Sequence, residues 1–153
     1  MRSKVIAVSG VKNSGKTTVL EKLVAELTSR GIKVAVIKHD GHSFEPDRHG
    51  TDTYRHLAAG AVGTAVFDGE KFQVTCYAAV TEEDLISLFP DADLILLEGF
   101  KGSEWPKVEV VRSGNSEGPV CDPATLLAVV TDLSIELPGV PVLGLGTRRA
   151  WRS

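Results

Sequence analysis

Short apolar runs and an amphipathic stretch alternate near the start of the chain. Residues 5–8 are continuously apolar, which is typical of a strand buried on both faces. From Thr17 the apolar positions recur at helical spacing, and Gly31 follows as a helix stop. Residues 34–37 form a second apolar run. This order predicts a strand–helix–strand unit, whose strands pair in parallel through a right-handed crossover, and therefore an α/β fold.

The later part of the chain shows the same alternation with shorter elements. We expect short helices over residues 51–59 and 82–89, and a hairpin whose turn at Asp68 and Gly69 can be lengthened by the next two residues. Strands are expected at the remaining apolar runs, namely residues 64–67, 72–77, 94–97, 108–111, 126–130 and, at an edge, 141–145. Residues 147–153 have no clear pattern.

A complete phosphate-binding motif separates the first strand from the first helix. Residues 10–17 match G-x-x-x-x-G-K-[ST], in which glycines let backbone N–H groups point at phosphate oxygens. Lys16, expected to be exposed, supplies a charge for the β- and γ-phosphates, and the Thr17 hydroxyl is suited to Mg²⁺. A chance match in a glycine turn would lack the strand and helix on either side. The predicted nucleotide-binding residues are Gly10, Lys12, Asn13, Ser14, Gly15, Lys16, Thr17 and Thr18.

The motif and its flanking elements together predict the architecture. A strand, a phosphate-binding loop and a helix at the start of an α/β pattern indicate a P-loop NTPase-type three-layer fold. We expect a mostly parallel sheet with an added antiparallel hairpin. Residues 1–153 are predicted to form a single P-loop nucleotide-binding domain, because a chain of this length fits one domain.

An acidic residue, Glu98, follows the most hydrophobic of the predicted strands. A carboxylate at the carboxyl end of a buried strand can hold Mg²⁺, as a Walker-B residue does, and ligands gather at this edge of such sheets. The alternative is a solvated strand-end carboxylate. Asp40 and Asp52 are further candidates for Mg²⁺ or for orienting water. We predict Lys16 and Glu98 as catalytic residues, and Thr17, Asp52 and Glu98 as metal ligands.

A polar segment after the second strand is rich in histidine: His39, His42, His49 and His56. The spacing of His39 and His42 could chelate a transition metal, or these side chains could contact an anion or substrate together with Lys38. Arg48 and Arg55 could reach a phosphate from this segment, or they are solvated surface residues. We predict His39, His42 and Arg55 as ligand-binding residues.

The chain gives little information about which base is bound. The N-K-x-D element of common GTPases is absent from the sequence. Asp132 follows the predicted strand at residues 126–130, where a carboxylate could accept hydrogen bonds from N1 and N2 of guanine. Alternatively, Asp132 caps a helix or shapes a turn.

The composition limits the classes of partner. The 153-residue chain has a net charge of −3 and a pI near 5.8, whereas a nucleic-acid footprint needs a basic face. It has no polybasic run of the kind that binds membranes, and its first apolar run is too short for a signal peptide. Cys76 and Cys121 have no C-x-x-C spacing, which favours free thiols in a reducing compartment. We therefore expect a soluble cytoplasmic protein without a nucleic-acid or membrane partner.

The ordered set of motifs resembles the molybdopterin-guanine dinucleotide biosynthesis protein B (MobB) family. The resemblance runs over most of the chain, from about Lys4 to Asp132. The matching segments are the P-loop at residues 10–18, Lys38-His39-x-x-His42-x-Phe44-Glu45, Gly50-x-Asp52-Thr53-x-Arg55 with Ala59-Gly60-Ala61, and Leu97-Glu98-Gly99-Phe100-Lys101. The P-loop is shared with many families, whereas its combination with the other segments is much more specific.

This resemblance implies a GTP-binding adaptor that assists the attachment of GMP to molybdopterin. It implies GTP and Mg²⁺ as ligands, weak GTPase activity, a separate MobA-type molybdopterin guanylyltransferase as partner, and a homodimer whose sheets join. Lys16 and Thr17 match the family's phosphate and Mg²⁺ ligands, and Glu98 matches its Walker-B position. The family's second motif region corresponds to His39, His42, Asp52 and Arg55.

Two other functions would use the same P-loop. A small-molecule kinase would also transfer the γ-phosphate, and kinases of this size usually carry an arginine-rich lid. A nickel-delivery GTPase would need a Cys-Pro-x-His-like site or a histidine-rich tail. The sequence has no compact arginine lid and neither of these metal features, although Arg48 and Arg55 leave the kinase alternative open.

Overall fold

The computed structural model describes residues 4–40, 44, 48 and 50–145. The chain forms two compact units, one made of Met1–His39 with Glu83–Ser153 and the other of Asp40–Glu82. The described strands are β1 (Lys4–Ser9), β2 (Val34–Lys38), β3 (Gly63–Phe67), β4 (Phe72–Cys76), β5 (Leu94–Glu98), β6 (Lys107–Val111), β7 (Leu126–Thr131) and β8 (Val142–Gly144). The described helices are α1 (Lys16–Ser29), α2 (Asp52–Ala58), α3 (Glu82–Ile86) and a 3₁₀ turn at Pro123–Thr125.

A parallel sheet of six strands forms the first unit, in the order β2-β5-β1-β6-β7-β8. The central strand β1 places Val8 beside Glu98 of β5 and beside Val108 of β6. Because parallel strands end at the same edge, the P-loop after β1, the acid at the end of β5 and the loop after β6 lie together. The predicted mostly parallel α/β fold is confirmed, and β8 is an edge strand as expected.

Helix α1 covers one face of this sheet. Its apolar stripe buries Val19 and Leu20 against residues of three strands: Val8, Leu96 and Val110. Burial of each such side chain contributes about 1.5–3 kcal/mol. The helix ends at Ser29, and Gly31 follows with φ of +80°, a conformation in which glycine has no side-chain clash.

The opposite face of the sheet carries a second apolar cluster. Its buried members are Ala7, Ile37, Ile95 and Leu97. Leu85 and Ile86 of α3 pack against this cluster, together with Phe100 and Trp105. Apolar layers on both faces explain why β1 and β5 read as continuous hydrophobic runs in the sequence.

The second unit contains α2 and an antiparallel hairpin. Thr51 is the N-cap of α2, and its hydroxyl accepts a hydrogen bond from the N–H of Tyr54. Strands β3 and β4 form a two-stranded sheet of their own. The predicted turn at Asp68 and Gly69 is lengthened to residues 68–71, because the Asp68 carboxylate accepts from the N–H groups of Glu70 and Lys71 at 2.8 and 2.9 Å.

The helix predicted over residues 82–89 is shorter than expected. It ends at Ile86, and the N–H groups of Leu88 and Phe89 bond to carbonyls three residues back. Such bonds tighten the last turns into 3₁₀ geometry, so the α-helical pattern stops before Pro90. Residues 147–153, which have no sequence pattern, lie outside the described residues.

Within the described part of the chain, every helix is too short or too polar to cross a membrane. The prediction of one domain over residues 1–153 stays a prediction.

Candidate nucleotide-binding site

The P-loop connects β1 to α1, and two glycines shape it. A β-carbon on Gly10 would lie 2.6 Å from the carbonyl oxygen of Val110 and 2.7 Å from the Ser14 hydroxyl, so no larger residue fits there. Gly15 has φ of +90° and caps α1. The first N–H groups of a helix have no partner within it, and this end carries a partial positive charge. The loop therefore presents donors and positive potential to an anion, as a phosphate site requires.

Two further predicted loop residues take part in its conformation. Asn13 has φ of +62°, which asparagine tolerates better than most residues. The Ser14 hydroxyl is buried, and among the described residues it has no hydrogen-bond partner. Lys12 and Thr18 are exposed.

The Lys16 side chain is half-buried, so the prediction of an exposed lysine is wrong. Its Nζ donates a hydrogen bond to the carbonyl oxygen of Gly10 at 3.1 Å. The ammonium group thus contacts the first residue of the loop. The β- and γ-phosphates of a nucleotide are the partners that this lysine has in P-loop sites, so a bound nucleotide would draw the side chain away from the carbonyl.

Thr17 and Glu98 form the link between the P-loop and β5. The Thr17 hydroxyl donates to Oε1 of Glu98 at 2.7 Å. Glu98 is 8% exposed, so the alternative of a solvated strand-end carboxylate does not describe it. A hydroxyl and a carboxylate are hard oxygen ligands of the kind that Mg²⁺ prefers, usually together with phosphate oxygens and water.

Asp132 binds the loop after β6. Its two carboxylate oxygens accept from the N–H and from the hydroxyl of Ser113, each at 2.8 Å. The backbone bond from Ser113, then the hydroxyl bond, and to a smaller extent the charge of Arg112 lower the pKa of Asp132. The carboxylate is exposed and stays ionised, with oxygen lone pairs left for further donors.

Sequence reasoning missed two residues of the loop between β6 and β7. The Nη1 atom of Arg112 lies 3.8 Å from the position that a β-carbon would take on Gly15. The side-chain amide of Asn115 donates to the carbonyl oxygens of Lys12, at 3.3 Å, and Asn13. The signal was a basic residue directly after a buried strand, since that strand ends at the same edge of the sheet as the P-loop.

His39 lies beside Glu98, at the end of β2. Its N–H donates to the carbonyl oxygen of Glu98, and its ring packs against Phe100 with centroids 5.5 Å apart. Phe100 has φ of +58°, which is rare for a bulky residue and is typical of functional loops. The predicted partner of His39, His42, lies outside the described residues, as does His49.

Asp52 and Arg55 lie in the second unit. Asp52 is in the first turn of α2, and both side chains are exposed. Together with His56 they line a cavity of about 340 Å³. Their predicted roles, as metal ligand and phosphate ligand, stay predictions, as does the alternative role of Asp40.

The described residues contain no cluster of three or more histidine, cysteine or acidic side chains arranged to hold a metal ion. A P-loop Mg²⁺ needs no such cluster, because the nucleotide supplies part of its oxygen ligands. The geometry of Thr17 and Glu98 is therefore compatible with Mg²⁺.

Comparison with known proteins decides between families that share a P-loop. The family described as Molybdopterin guanine dinucleotide synthesis protein B matches residues 5–132 of the chain. The chain belongs to this family. The matched segment of this MobB family member contains the P-loop and Glu98, and it ends at Asp132.

Known MobB relatives are similar over most of their length. A probable molybdopterin-guanine dinucleotide biosynthesis adapter protein of Bacillus subtilis is 34% identical over 145 residues, which are 90% of this chain and 83% of that protein. The corresponding adapter protein of Escherichia coli is 35% identical over 141 residues, 86% of this chain and 80% of that protein. The crystal structure of Bacillus subtilis MobB has a TM-score of 0.81 at 29% identity and covers 97% of this chain and 93% of its own.

Proposed function

We propose that this protein is a GTP-binding adaptor that assists attachment of GMP to molybdopterin during molybdenum cofactor biosynthesis. Membership of the MobB family supports this role over the kinase and metal-delivery alternatives. The structural observation that carries the nucleotide part is the hydrogen bond between Thr17 and Glu98 below a complete P-loop. It joins the residue types that hold Mg²⁺ in P-loop nucleotide sites.

The phosphates of GTP would bind in the concave side of the P-loop. The N–H groups at the start of α1 provide donors, and Lys16 moves from the Gly10 carbonyl to the β- and γ-phosphates. Mg²⁺, when bound, neutralises phosphate charge. Thr17 and Glu98 would hold it on the protein side. The sequence also predicts Asp52, in the second unit, as a metal ligand, and that role stays a prediction.

Guanine would be bound by Asp132. The carboxylate suits guanine because it can accept hydrogen bonds from both N1 and N2, whereas adenine offers no such pair of donors. Ser113 already fixes the orientation of the carboxylate through two hydrogen bonds. A preorganised acceptor loses little entropy on binding, which favours base selection.

The adaptor role requires a partner that performs the transfer. We propose a MobA-type molybdopterin guanylyltransferase, with molybdopterin as the acceptor. Lys16 and Glu98 would then act mainly in binding and orienting the nucleotide and its metal, and hydrolysis by the isolated chain would be slow. His39, His42 and Arg55 would contact the ligand or the partner in the assembled state.

A homodimer is part of this proposal, and the hairpin of the second unit offers a surface for it. One face of β3 and β4 carries only small or apolar residues: Gly63, Ala65, Phe67, Phe72, Val74 and Cys76. Phe67 is 83% exposed and Phe72 is 77% exposed. Exposed apolar patches of this kind mark interaction sites.

We also propose that the protein is located in the cytoplasm, as the sequence predicts.

Competition binding tests the nucleotide assignment. GTP and ATP would compete for the wild-type protein in Mg²⁺ buffer, and a pull-down from cells with the molybdenum cofactor pathway would identify bound proteins. We expect tighter binding of GTP and recovery of the guanylyltransferase. Equal affinity or a preference for ATP would refute the guanine assignment and favour a kinase.

A further inference from the structure

Arg112 brings a second cation to the phosphate-binding loop. It follows β6 directly, and its Nη1 atom lies 3.8 Å from the β-carbon position of Gly15, the residue that caps α1. Its charge also contributes to lowering the pKa of Asp132. The guanidinium therefore lies beside the phosphate-binding loop, while the next residue, Ser113, bonds the proposed base acceptor, Asp132.

The loop that carries Arg112 is held in place by hydrogen bonds to both the P-loop and Asp132. Ser113 donates twice to Asp132, and the Asn115 amide donates to carbonyl oxygens of the P-loop. The carbonyl oxygen of Arg112 accepts from the N–H groups of Asn115 and Ser116 at 3.1 and 3.2 Å. The backbone of Arg112 is thus fixed, while its side chain is exposed and can reach a ligand.

We propose that Arg112 is a phosphate-binding residue of the nucleotide site and contacts the α- or β-phosphate. This inference rests on the proposed function, because it requires a nucleotide in the P-loop. Gly15 adjoins the part of the loop whose N–H groups cradle the α- and β-phosphates, whereas Lys16 reaches the β- and γ-phosphates. A guanidinium offers a planar fork of N–H donors that matches two phosphate oxygens.

The assignment predicts which nucleotides depend on Arg112. GTP and GDP share the α- and β-phosphates, so both should lose affinity equally when the guanidinium is removed. The contact is independent of the base, so ATP should lose affinity by the same factor. Arg112→Lys keeps the charge but not the fork and should lose only part of the affinity.

The experiment measures displacement of a fluorescent guanine nucleotide by GTP, GDP and ATP in Mg²⁺ buffer, with Arg112→Ala, Arg112→Lys and wild type. Arg30→Ala is the matched control, since it removes the same charge at the opposite end of α1, where Arg30 pairs with Glu26. We expect Arg112→Ala to weaken all three nucleotides about tenfold or more, because it removes hydrogen bonds from a charged donor to phosphate. Arg30→Ala should bind as wild type does.

Three results would overturn the inference. Unchanged affinity in Arg112→Ala would show that the guanidinium does not touch the nucleotide. A loss for GTP but not GDP would place it on the γ-phosphate, and a loss for guanine nucleotides alone would place it on the base. If wild type binds no nucleotide, the proposed function fails as well. If wild type binds and Arg112→Ala binds equally, only the role of Arg112 fails.

Discussion

At the scale of single residues, Lys16 tests whether the glycine loop is a phosphate site. Lys16→Ala removes the ammonium that would meet the β- and γ-phosphates, so nucleotide affinity should fall about tenfold or more. The melting temperature should change little, since only the bond to the Gly10 carbonyl is lost from the free protein. Calorimetry measures both quantities. Lys22→Ala, a loss of the same charge from an exposed position of α1, should bind normally, and unchanged affinity in Lys16→Ala would refute the P-loop assignment.

Asp132 tests the choice of base. Asp132→Asn should weaken GTP about tenfold and leave ATP unaffected, because an amide cannot accept from both guanine donors. Asp91→Asn, the same change at an exposed position between α3 and β5, is the control and should keep the wild-type ratio. A GTP-to-ATP affinity ratio that is the same in wild type and Asp132→Asn would contradict this role. The lowered pKa of Asp132 means that the preference is present above its ordinary pKa of 3.8 and is lost only as pH falls through the lower folded value.

Cys121 is a buried residue near the end of the loop that carries Arg112, and the reactivity of its thiol measures how tightly this region is packed. Burial, followed by the hydrogen bond and the charge of Glu109, raises the pKa of Cys121 to about 12. The Glu109 carboxylate also accepts from the N–H groups of Val120 and Cys121 at 2.7 and 3.0 Å. In a Cys76→Ser variant at pH 8, a disulfide reagent should therefore label no thiol until the protein is denatured. Rapid labelling of the native variant would show that this buried cluster opens easily.

The sequence identified the loop residues whose chemistry is local, and it missed those that act across the sheet. Gly10, Lys16 and Thr17 lie within one motif, so their spacing alone indicates a phosphate site. The position of Arg112 depends on β6 lying next to β1, an order that no local pattern encodes. The half-buried state of Lys16 likewise depends on a carbonyl six residues away that its side chain can reach.

At the scale of elements, the long apolar strands were the most predictable. Strands β1 and β5 are buried on both faces, so each appears as an uninterrupted hydrophobic run. The end of α3 was not predictable, because residues 87–89 are compatible in sequence with an α-helix. In the structure, the N–H groups of Leu88 and Phe89 instead bond to carbonyls three residues back, which is 3₁₀ geometry. The sequence does not decide between a two-residue and a four-residue hairpin loop. The side chain of Asp68 determines the length, because it accepts hydrogen bonds from the backbone of the next two loop residues after Gly69.

The hairpin makes a prediction about assembly. Phe72→Glu places a charge on the apolar face of β3 and β4 and should convert a dimer into a monomer, since burial of a phenylalanine contributes about 1.5–3 kcal/mol. Gln73→Glu is the matched control, because Gln73 is also exposed but points to the other face of β4. Sedimentation velocity measures the outcome. A wild-type monomer, or a dimer that persists in Phe72→Glu, would exclude this face as the interface.

At the scale of the whole molecule, the isolated protein should hydrolyse GTP slowly. Fast hydrolysis needs a positioned water and added positive charge at the γ-phosphate. The contact proposed for Arg112 is with the α- or β-phosphate, so it would not supply that charge. We expect turnover far below about 10 per second, the median for enzymes. Phosphate release by the purified chain measures it, and turnover at ordinary enzyme rates or transfer to a small acceptor would contradict an adaptor.

The most direct measurement is the rate of dinucleotide cofactor formation by the purified guanylyltransferase with molybdopterin at limiting GTP. The rate would be compared without this chain, with wild type and with Lys16→Ala. The account predicts a faster rate with wild type and little or no gain with Lys16→Ala, because the adaptor acts through its bound nucleotide. A rate that is the same with and without the wild-type chain would contradict the proposed function.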